Sequence, residues 1–170
     1  MLSPKIQDAL NAQVNAEFYS SYLYLSMAAQ FERSSLPGMA TWMRFQAQEE
    51  LMHALKFFNF INERNGQVLL TEIEGPKNEW SSALEAFEDS YAHEQKVTGL
   101  INDIANLARE EKDHATETFL QWFITEQVEE EASVSTVVDQ LKLVGDNGVA
   151  LFMVDGQLGQ RVAPTVGAQP

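Results

Sequence analysis

The chain has 170 residues, 45% of them hydrophobic, and a formal net charge of −14 at neutral pH. This length and composition predict one domain with a sizeable core rather than a disordered acidic tail, and the negative charge argues against nucleic acid and favours cations as partners. The absence of cysteine excludes disulfides, cysteine-based zinc sites and rubredoxin-like iron centres.

Two long helices are predicted in the first third of the chain. Ser3 followed by Pro4 predicts a helix start, and the segment 34–38 interrupts the helical pattern. Pro37 opens a second helix, which Asn65-Gly66 ends. Stepping by three or four residues gives the two inward faces: Leu10, Val14, Glu17, Ser21, Tyr24, Ala28 and Phe31, then Met39, Trp42, Gln46, Glu49/Glu50, His53, Phe57 and Phe60.

Residues 66–80 lack helical periodicity and contain Gly75-Pro76, so they predict a long connection. The second helix is about 42 Å long at about 1.5 Å per residue. A connection of about 15 residues reaches about 50 Å, so it can return along the whole bundle and make the third helix parallel to the second. The sequence therefore predicts an all-α four-helix bundle with one long crossover.

The second half of the chain predicts two more long helices and a short fifth one. Ser82-x-x-Glu85 is a capping box for the third helix, the fourth begins near Asp113, and residues 145–148 form a turn before the fifth. Residues 1–160 are predicted to form one domain and residues 161–170 a disordered tail. The inward faces are Leu84, Phe87, Tyr91, Glu94, Thr98, Ile101, Ala105 and Ala108, then Thr116, Leu120, Phe123, Gln127, Glu130, Val134, Val137 and Leu141.

Each of the four inward faces is apolar except near its middle. There the faces carry polar residues: Glu17, Glu50 with His53, Glu94, and Gln127 with Glu130. Burying unpaired carboxylates is costly, and none of the inward positions given above is Lys or Arg, so this cluster needs protons or a metal ion.

The pair Glu50-x-x-His53 makes the metal interpretation more specific. Positions i and i+3 share one helix face, so the carboxylate and the imidazole can bind the same ion, as in di-iron bundle proteins. Oxygen ligands with one imidazole suit iron or manganese. Such a motif alone is more often a solvated pair, and the four acidic positions on four helices are what favour a metal.

The sequence resembles the bacterial non-haem ferritins over residues 1–160. The matching stretches are Asn15-Ala16-Glu17-Phe18-Tyr19-Ser20-Ser21, Gln48-Glu49-Glu50-Leu51-Met52-His53-Ala54, His93-Glu94-Gln95 and Glu126-Gln127-Val128-Glu129-Glu130-Glu131. The resemblance implies a ferritin-like bundle, a homo-oligomeric 24-subunit shell that stores ferric mineral, and a ferroxidase that uses O2 or H2O2 to oxidise Fe(II).

The resemblance also implies roles for individual residues. Glu17, Glu50 and His53 are expected to hold one iron, and Glu50 to bridge to a second iron held by Glu94. Gln127 and Glu130 are expected close by, with Tyr24 as a nearby electron donor. An additional, third iron is expected beside this pair, in a site formed by four acidic residues: Glu49, Glu126, Glu129 and Glu130.

Two departures separate the chain from related di-iron proteins. Bacterioferritins carry a second Glu-x-x-His, but the matching place here is Gln127 to Glu130 without His, and Leu51 stands where their haem-ligating Met follows the bridging Glu. No haem is therefore expected, and Met52 is interpreted as packing. A di-iron oxidase or peroxidase of the rubrerythrin or bacterioferritin kind remains the alternative, and a purely structural bundle is the non-enzymatic one.

The remaining features support weaker expectations. His93 and His114 fall off the inward faces and are expected at the surface or an interface, and Trp42, Trp80 and Trp122 are expected to pack at bundle or subunit contacts. Glu117 is either a pore-lining acid or a solvated one. An exposed patch of Leu151, Phe152 and Leu158 on the fifth helix predicts a subunit contact. No secretory signal or membrane span is recognisable, so we expect a cytoplasmic protein that does not bind membranes.

Overall fold

The computed structural model describes residues 2–164 and shows five helices. Their bounds are α1 Pro4–Arg33, α2 Pro37–Glu63, α3 Ala83–Glu110, α4 His114–Val144 and α5 Gly148–Leu158. The all-α class and all five predicted helices are confirmed. In this described part, no helix is long and apolar enough to span a membrane. Residues 161–164 lie in neither helix nor strand, and the rest of the predicted tail falls outside the described residues.

The predicted helix starts are confirmed with one local difference. The Ser3 hydroxyl accepts a hydrogen bond from the Ile6 amide, and the Ser82 hydroxyl accepts one from the Glu85 amide at 3.1 Å. The Glu85 carboxylate accepts from the Ser81 amide at 2.7 Å instead of returning to Ser82. The capping box is therefore closed one residue earlier than the pattern predicts.

Aromatic and apolar contacts show the relative direction of α2 and α3. Near one end of the bundle, Trp42 packs against Phe87 with ring centroids 5.3 Å apart. Towards the other end, Phe57 and Ile101 share a second apolar cluster. Residue numbers thus rise in the same direction along α2 and α3, which means that the two helices run parallel.

The crossover 64–82 is attached to α1 by side-chain amides. Asn11 accepts from the Leu69 amide at 2.7 Å and donates to the Gln67 carbonyl at 3.0 Å. Asn15 donates to the Glu72 carbonyl at 2.9 Å. These bonds satisfy backbone groups that a loop without secondary structure would leave to solvent.

The core consists of two apolar clusters with a polar layer between them. One cluster contains Phe31, Trp42 and Phe87, and the other contains Phe57 and Phe123. The acidic residues and His53 from the middle of each helix lie between these clusters. The polar layer is therefore enclosed on two sides by close-packed apolar side chains.

The short helix α5 packs across the start of α2. The Asp155 carboxylate accepts hydrogen bonds from the Gly38 and Met39 amides at 3.1 and 2.8 Å. It replaces the missing cap, because the N-cap residue Leu36 makes no side-chain bond. A Cβ on Gly38 would lie 1.8 Å from the Asp155 carbonyl oxygen, so the contact requires glycine.

The predicted apolar patch on α5 is only partly correct. Phe152 is 75% exposed, as expected. Leu158 is instead buried in the core, and Leu151 is half-buried against it, because α5 folds back onto α2. The exposed apolar side chains of α5 are Val149, Phe152 and Met153.

Candidate metal centre

Three side chains from two helices meet in the polar layer. Glu17 of α1 and Glu50 and His53 of α2 each offer a ligand atom, and these atoms lie within 4.8 Å of one another. All three are buried, with 0%, 2% and 3% of their surfaces exposed. The spacing i, i+3 places the His53 Nδ1 atom 3.3 Å from the Glu50 carboxylate, as the sequence predicts. This group has the size and the donor types of a cation site.

Two carboxylate oxygens in this group have no hydrogen-bond partner. They are Oε2 of Glu17 and Oε1 of Glu50. The other Glu17 oxygen accepts from the Gln13 amide at 2.8 Å, which holds the carboxylate in place. Because buried acceptors are nearly always satisfied, two unpartnered oxygens beside one imidazole fit a site for a positive ion.

Glu94 of α3 stands at the other side of the polar layer and is held by two neighbours. The Tyr24 hydroxyl donates to its carboxylate and itself accepts from Ser90 at 3.2 Å. The Gln127 amide donates to the Glu94 carboxylate at 3.1 Å and to its carbonyl at 3.3 Å. Gln127 and Tyr24 therefore fix the orientation of Glu94.

The electrostatics of the layer follow from burial without positive charge. Desolvation raises the pKa of Glu17 and of Glu50 well above the usual value, and Glu50 is affected further by Glu94 and Glu130. Burial, with repulsion from Glu130, raises the pKa of Glu94 to about 7. Within residues 2–164, no Lys or Arg forms an ion pair with these four carboxylates. Burial thus favours the protonated forms of these carboxyl groups, and a bound cation would compete with their protons.

The four acids of the expected third-iron site do not meet as one metal-ligating group in the described part of the chain, where only Glu17, Glu50 and His53 do so. Glu130 is buried and accepts from the Gln46 amide at 2.7 Å. Glu49 and Glu126 are half-buried and Glu129 is exposed. Desolvation raises the pKa values of Glu49 and Glu126, and the mutual repulsion of these two carboxylates contributes to the shift at Glu49. Glu49 also forms an ion pair with Arg161, which sequence reasoning did not foresee.

The wall beside His53 is aromatic. Trp122 and Phe123 approach the imidazole edge to face, with centroids 5.4 and 5.8 Å away. The Lys56 ammonium lies 3.2 Å from the centroid of the Trp122 ring. These rings restrict the imidazole to one orientation and separate it from solvent.

His93 is less exposed than a surface position would be. Its ring is half-buried between α1 and α3, where it packs 5.8 Å from Tyr19 and its Nε2 lies 2.7 Å from the Ser20 hydroxyl. His114 is exposed, as expected, and Trp42 and Trp80 are buried in the bundle. Glu117 pairs with Arg109 at 2.8 Å, and its role in a pore stays a prediction.

Two buried glutamines of the layer were not predicted as site residues. Gln13 and Gln46 each precede a buried acid, Glu17 and Glu50, by four residues and so lie on the same helix faces. Both are buried, and each donates to a carboxylate of the layer. Gln13 donates to the acid that follows it on its own helix, whereas Gln46 donates to Glu130 of α4, so the spacing alone identifies only the first of these bonds.

Comparison with known proteins finds relatives that match most of the chain. A ferritin-like domain matches residues 7–144. The chain is 44% identical over 161 residues to a bacterial non-heme ferritin of Bacteroides fragilis, covering 95% of this chain and 100% of that protein. A bacterial non-heme ferritin of Staphylococcus saprophyticus is also 44% identical, with 95% and 96% covered. The structure is similar to an open-pore ferritin of Archaeoglobus fulgidus, with a TM-score of 0.94, 51% identity, and 95% and 100% of the two chains covered.

Proposed function

Because the chain belongs to the ferritin family, we propose that it oxidises ferrous iron inside its own bundle and stores the product as ferric mineral. Iron storage follows from the family. The oxidation site, its stoichiometry and the shell are our proposal. The observation that carries it is the buried group of Glu17, Glu50 and His53, with two unpartnered carboxylate oxygens and no cationic side chain paired with it in the described part of the chain.

In this proposal, iron is the substrate. Some residues of the layer bind the iron, and others orient the residues that bind it. Glu17, Glu50 and His53 bind one ferrous ion, while Glu94 binds a second that shares Glu50. Gln127 and Tyr24 orient Glu94, and Glu130 lies next to the pair. Carboxylate oxygens are hard ligands that favour the ferric over the ferrous state, so this set promotes oxidation.

The electron balance explains why two ions are needed. Two ferrous ions supply two electrons together, which reduce dioxygen with two protons to hydrogen peroxide and avoid one-electron products. The carboxyl groups release their protons when iron binds, because the raised pKa values keep them partly protonated beforehand. The two apolar clusters on either side exclude bulk water from the reacting ions.

Iron titration and oxidation kinetics test the site. Anaerobic ferrous titration should show two tightly bound ions per subunit, and the fast phase of oxidation in air should saturate at the same number. Glu50→Ala should abolish the fast phase because it removes a ligand from both ions, and His53→Ala should remove one ion and with it the paired chemistry. Glu88→Ala, which removes an exposed carboxylate paired with Lys142, is the matched control. A full fast phase in either site variant would refute the assignment.

The storage part of the proposal requires assembly. We propose a shell of 24 subunits in the cytoplasm, supported by the family and by the exposed Val149, Phe152 and Met153 side chains of α5. Light scattering should give a mass near two dozen subunits, and iron should elute with that particle. A stable monomer or dimer under mild conditions would contradict storage, and turnover without retained mineral would favour a di-iron oxidase of the rubrerythrin or bacterioferritin kind. Electron microscopy of the particle would show whether its pores resemble those of the open-pore relative.

A further inference from the structure

A chain of hydrogen bonds connects Glu94 to the surface between α3 and α4. The Gln127 amide nitrogen, which donates to the Glu94 carboxylate at 3.1 Å, also donates to the Thr98 hydroxyl at 3.3 Å. The Thr98 hydroxyl in turn donates to the Glu131 carboxylate at 2.6 Å. Gln127 is buried, whereas Thr98 and Glu131 are half-buried and line a surface cleft of about 280 Å³. The chain of bonds therefore begins at solvent and ends at a carboxylate of the polar layer.

The four residues of this chain form two pairs with helical spacing. Thr98 follows Glu94 by four positions on α3, and Glu131 follows Gln127 by four positions on α4. Residues four apart share one helix face, so each helix presents a polar pair to the other. The bonds between the pairs show that α3 and α4 are aligned at this level of the bundle.

The hydrogen atoms that are available fix the direction of each bond. The Thr98 hydroxyl has one hydrogen, and a carboxylate only accepts hydrogen bonds, so this hydrogen goes to Glu131. The Thr98 oxygen can then only accept, and it accepts from the Gln127 amide nitrogen. Thr98 and Glu131 therefore favour the orientation of the Gln127 amide in which its nitrogen, and not its oxygen, points towards α3.

Loss of either outer residue would remove this preference. Without the Glu131 carboxylate, the Thr98 hydroxyl could donate to the Gln127 amide oxygen, which favours the opposite orientation of the amide. In that orientation an amide oxygen would lie beside the Glu94 carboxylate, and two buried acceptors without a hydrogen between them destabilise each other.

We propose that Thr98 and Glu131 are positioning residues for iron oxidation, because they set the orientation of the Gln127 amide and thereby hold Glu94 in place for the second ferrous ion. The proposal rests on the proposed function, in which Glu94 binds that ion. Thr98 and Glu131 act through Gln127 and do not touch iron. Their loss should therefore weaken the ion at Glu94 and spare the ion held by the other group of ligands.

Anaerobic ferrous titration by calorimetry of the assembled protein tests the proposal. Loss of a residue that directly orients a metal ligand weakens metal binding about 10- to 100-fold. Thr98 is one bond further away, so Thr98→Val, which keeps the shape and removes the hydroxyl, should weaken the ion at Glu94 about three- to tenfold. Glu131→Ala should weaken the same ion, and Thr98→Ser, which keeps the hydroxyl, should restore the wild-type affinity. Thr125→Val removes an exposed hydroxyl of α4 and should leave both ions unchanged.

A Glu94→Gln background shows whether Thr98 acts through Glu94. One binding event should remain in this background, and Thr98→Val should not change it. Two events of wild-type affinity in both Thr98→Val and Glu131→Ala would overturn the proposal and leave the proposed function intact. Equal weakening of both events, or a weakening that Thr98→Ser does not restore, would show a general structural effect and would also overturn the proposal. A single event in the wild type would overturn the second ion of the proposed function, and this proposal with it.

Discussion

The Asp155 contact allows a quantitative prediction about how α5 is held. In Asp155→Ala, the Gly38 and Met39 amides lose their acceptor at the buried start of α2, where Pro37 has no amide hydrogen to cap. Loss of an N-cap costs about 0.5–2 kcal/mol, and hydrogen bonds to charged groups contribute about 1.5–3 kcal/mol each. Since solvent can reach amides that α5 uncovers, we expect α5 to be destabilised by about 2–4 kcal/mol.

Asp155→Asn should cost less, because the amide oxygen still accepts one bond while the charge at the helix N-terminus is lost. We expect about 1–2 kcal/mol for this variant. The assay is hydrogen exchange followed by mass spectrometry of peptides from α5, in which each 1.4 kcal/mol of lost protection corresponds to about tenfold faster exchange. Asp146→Asn, in the exposed turn before α5, is the control.

Two results would refute this reasoning. Unchanged α5 protection in Asp155→Ala would mean that the carboxylate contributes nothing to docking. An equal loss of protection in all five helices would mean that Asp155 supports the whole bundle and does not fix α5 specifically.

Three further predictions concern the core and the polar layer. Gly38→Ala should destabilise the protein by about 1–3 kcal/mol in urea unfolding because its Cβ meets the Asp155 carbonyl, whereas Gly99→Ala, open within α3, should stabilise it by about 0.5–1 kcal/mol. The folded-state pKa of Glu94 is about 7, above the usual 4.5, so the free energy of unfolding of the iron-free protein should fall as pH rises from 5 to 8. Glu94→Gln should make this fall smaller, which urea unfolding at pH 5 and at pH 8 would measure. Tyr24→Phe removes a donor that lowers the Glu94 pKa, so the midpoint of iron binding against pH should move upwards; an unmoved midpoint would show that the bond is unimportant.

The parts of the structure that local sequence rules govern could be predicted. Ser3 and Ser82 marked helix starts because an N-cap needs only its own next three residues. Glu50 and His53 were placed on one face by helical spacing alone, and their atoms meet as expected. The crossover direction followed from comparing the reach of the loop with the length of α2.

The contacts that could not be predicted join residues far apart in the chain. Nothing local to Asn11 indicates that its amide will bind the crossover, nor does anything near Asp155 indicate that it caps α2. His93 falls off the inward stripe, yet a gap between α1 and α3 accepts its ring beside Tyr19. Helical periodicity shows which side of a helix faces inward, but it does not show which residue of another helix lies opposite.

The two sets of acids differ in the positive charge that the protein itself supplies. Glu17 accepts from the Gln13 amide, Glu94 accepts from Gln127 and Tyr24, and Glu50 lies beside His53. No Lys or Arg pairs with these three carboxylates in the described part of the chain. Amide donors orient a carboxylate without neutralising it, so the inner layer is left with protons or metal as its source of positive charge. Glu49, which is half-buried, has the Arg161 guanidinium as its counter-ion. The inner acids therefore fit a site for a bound cation, whereas the charge of Glu49 is already balanced by a side chain of the protein itself.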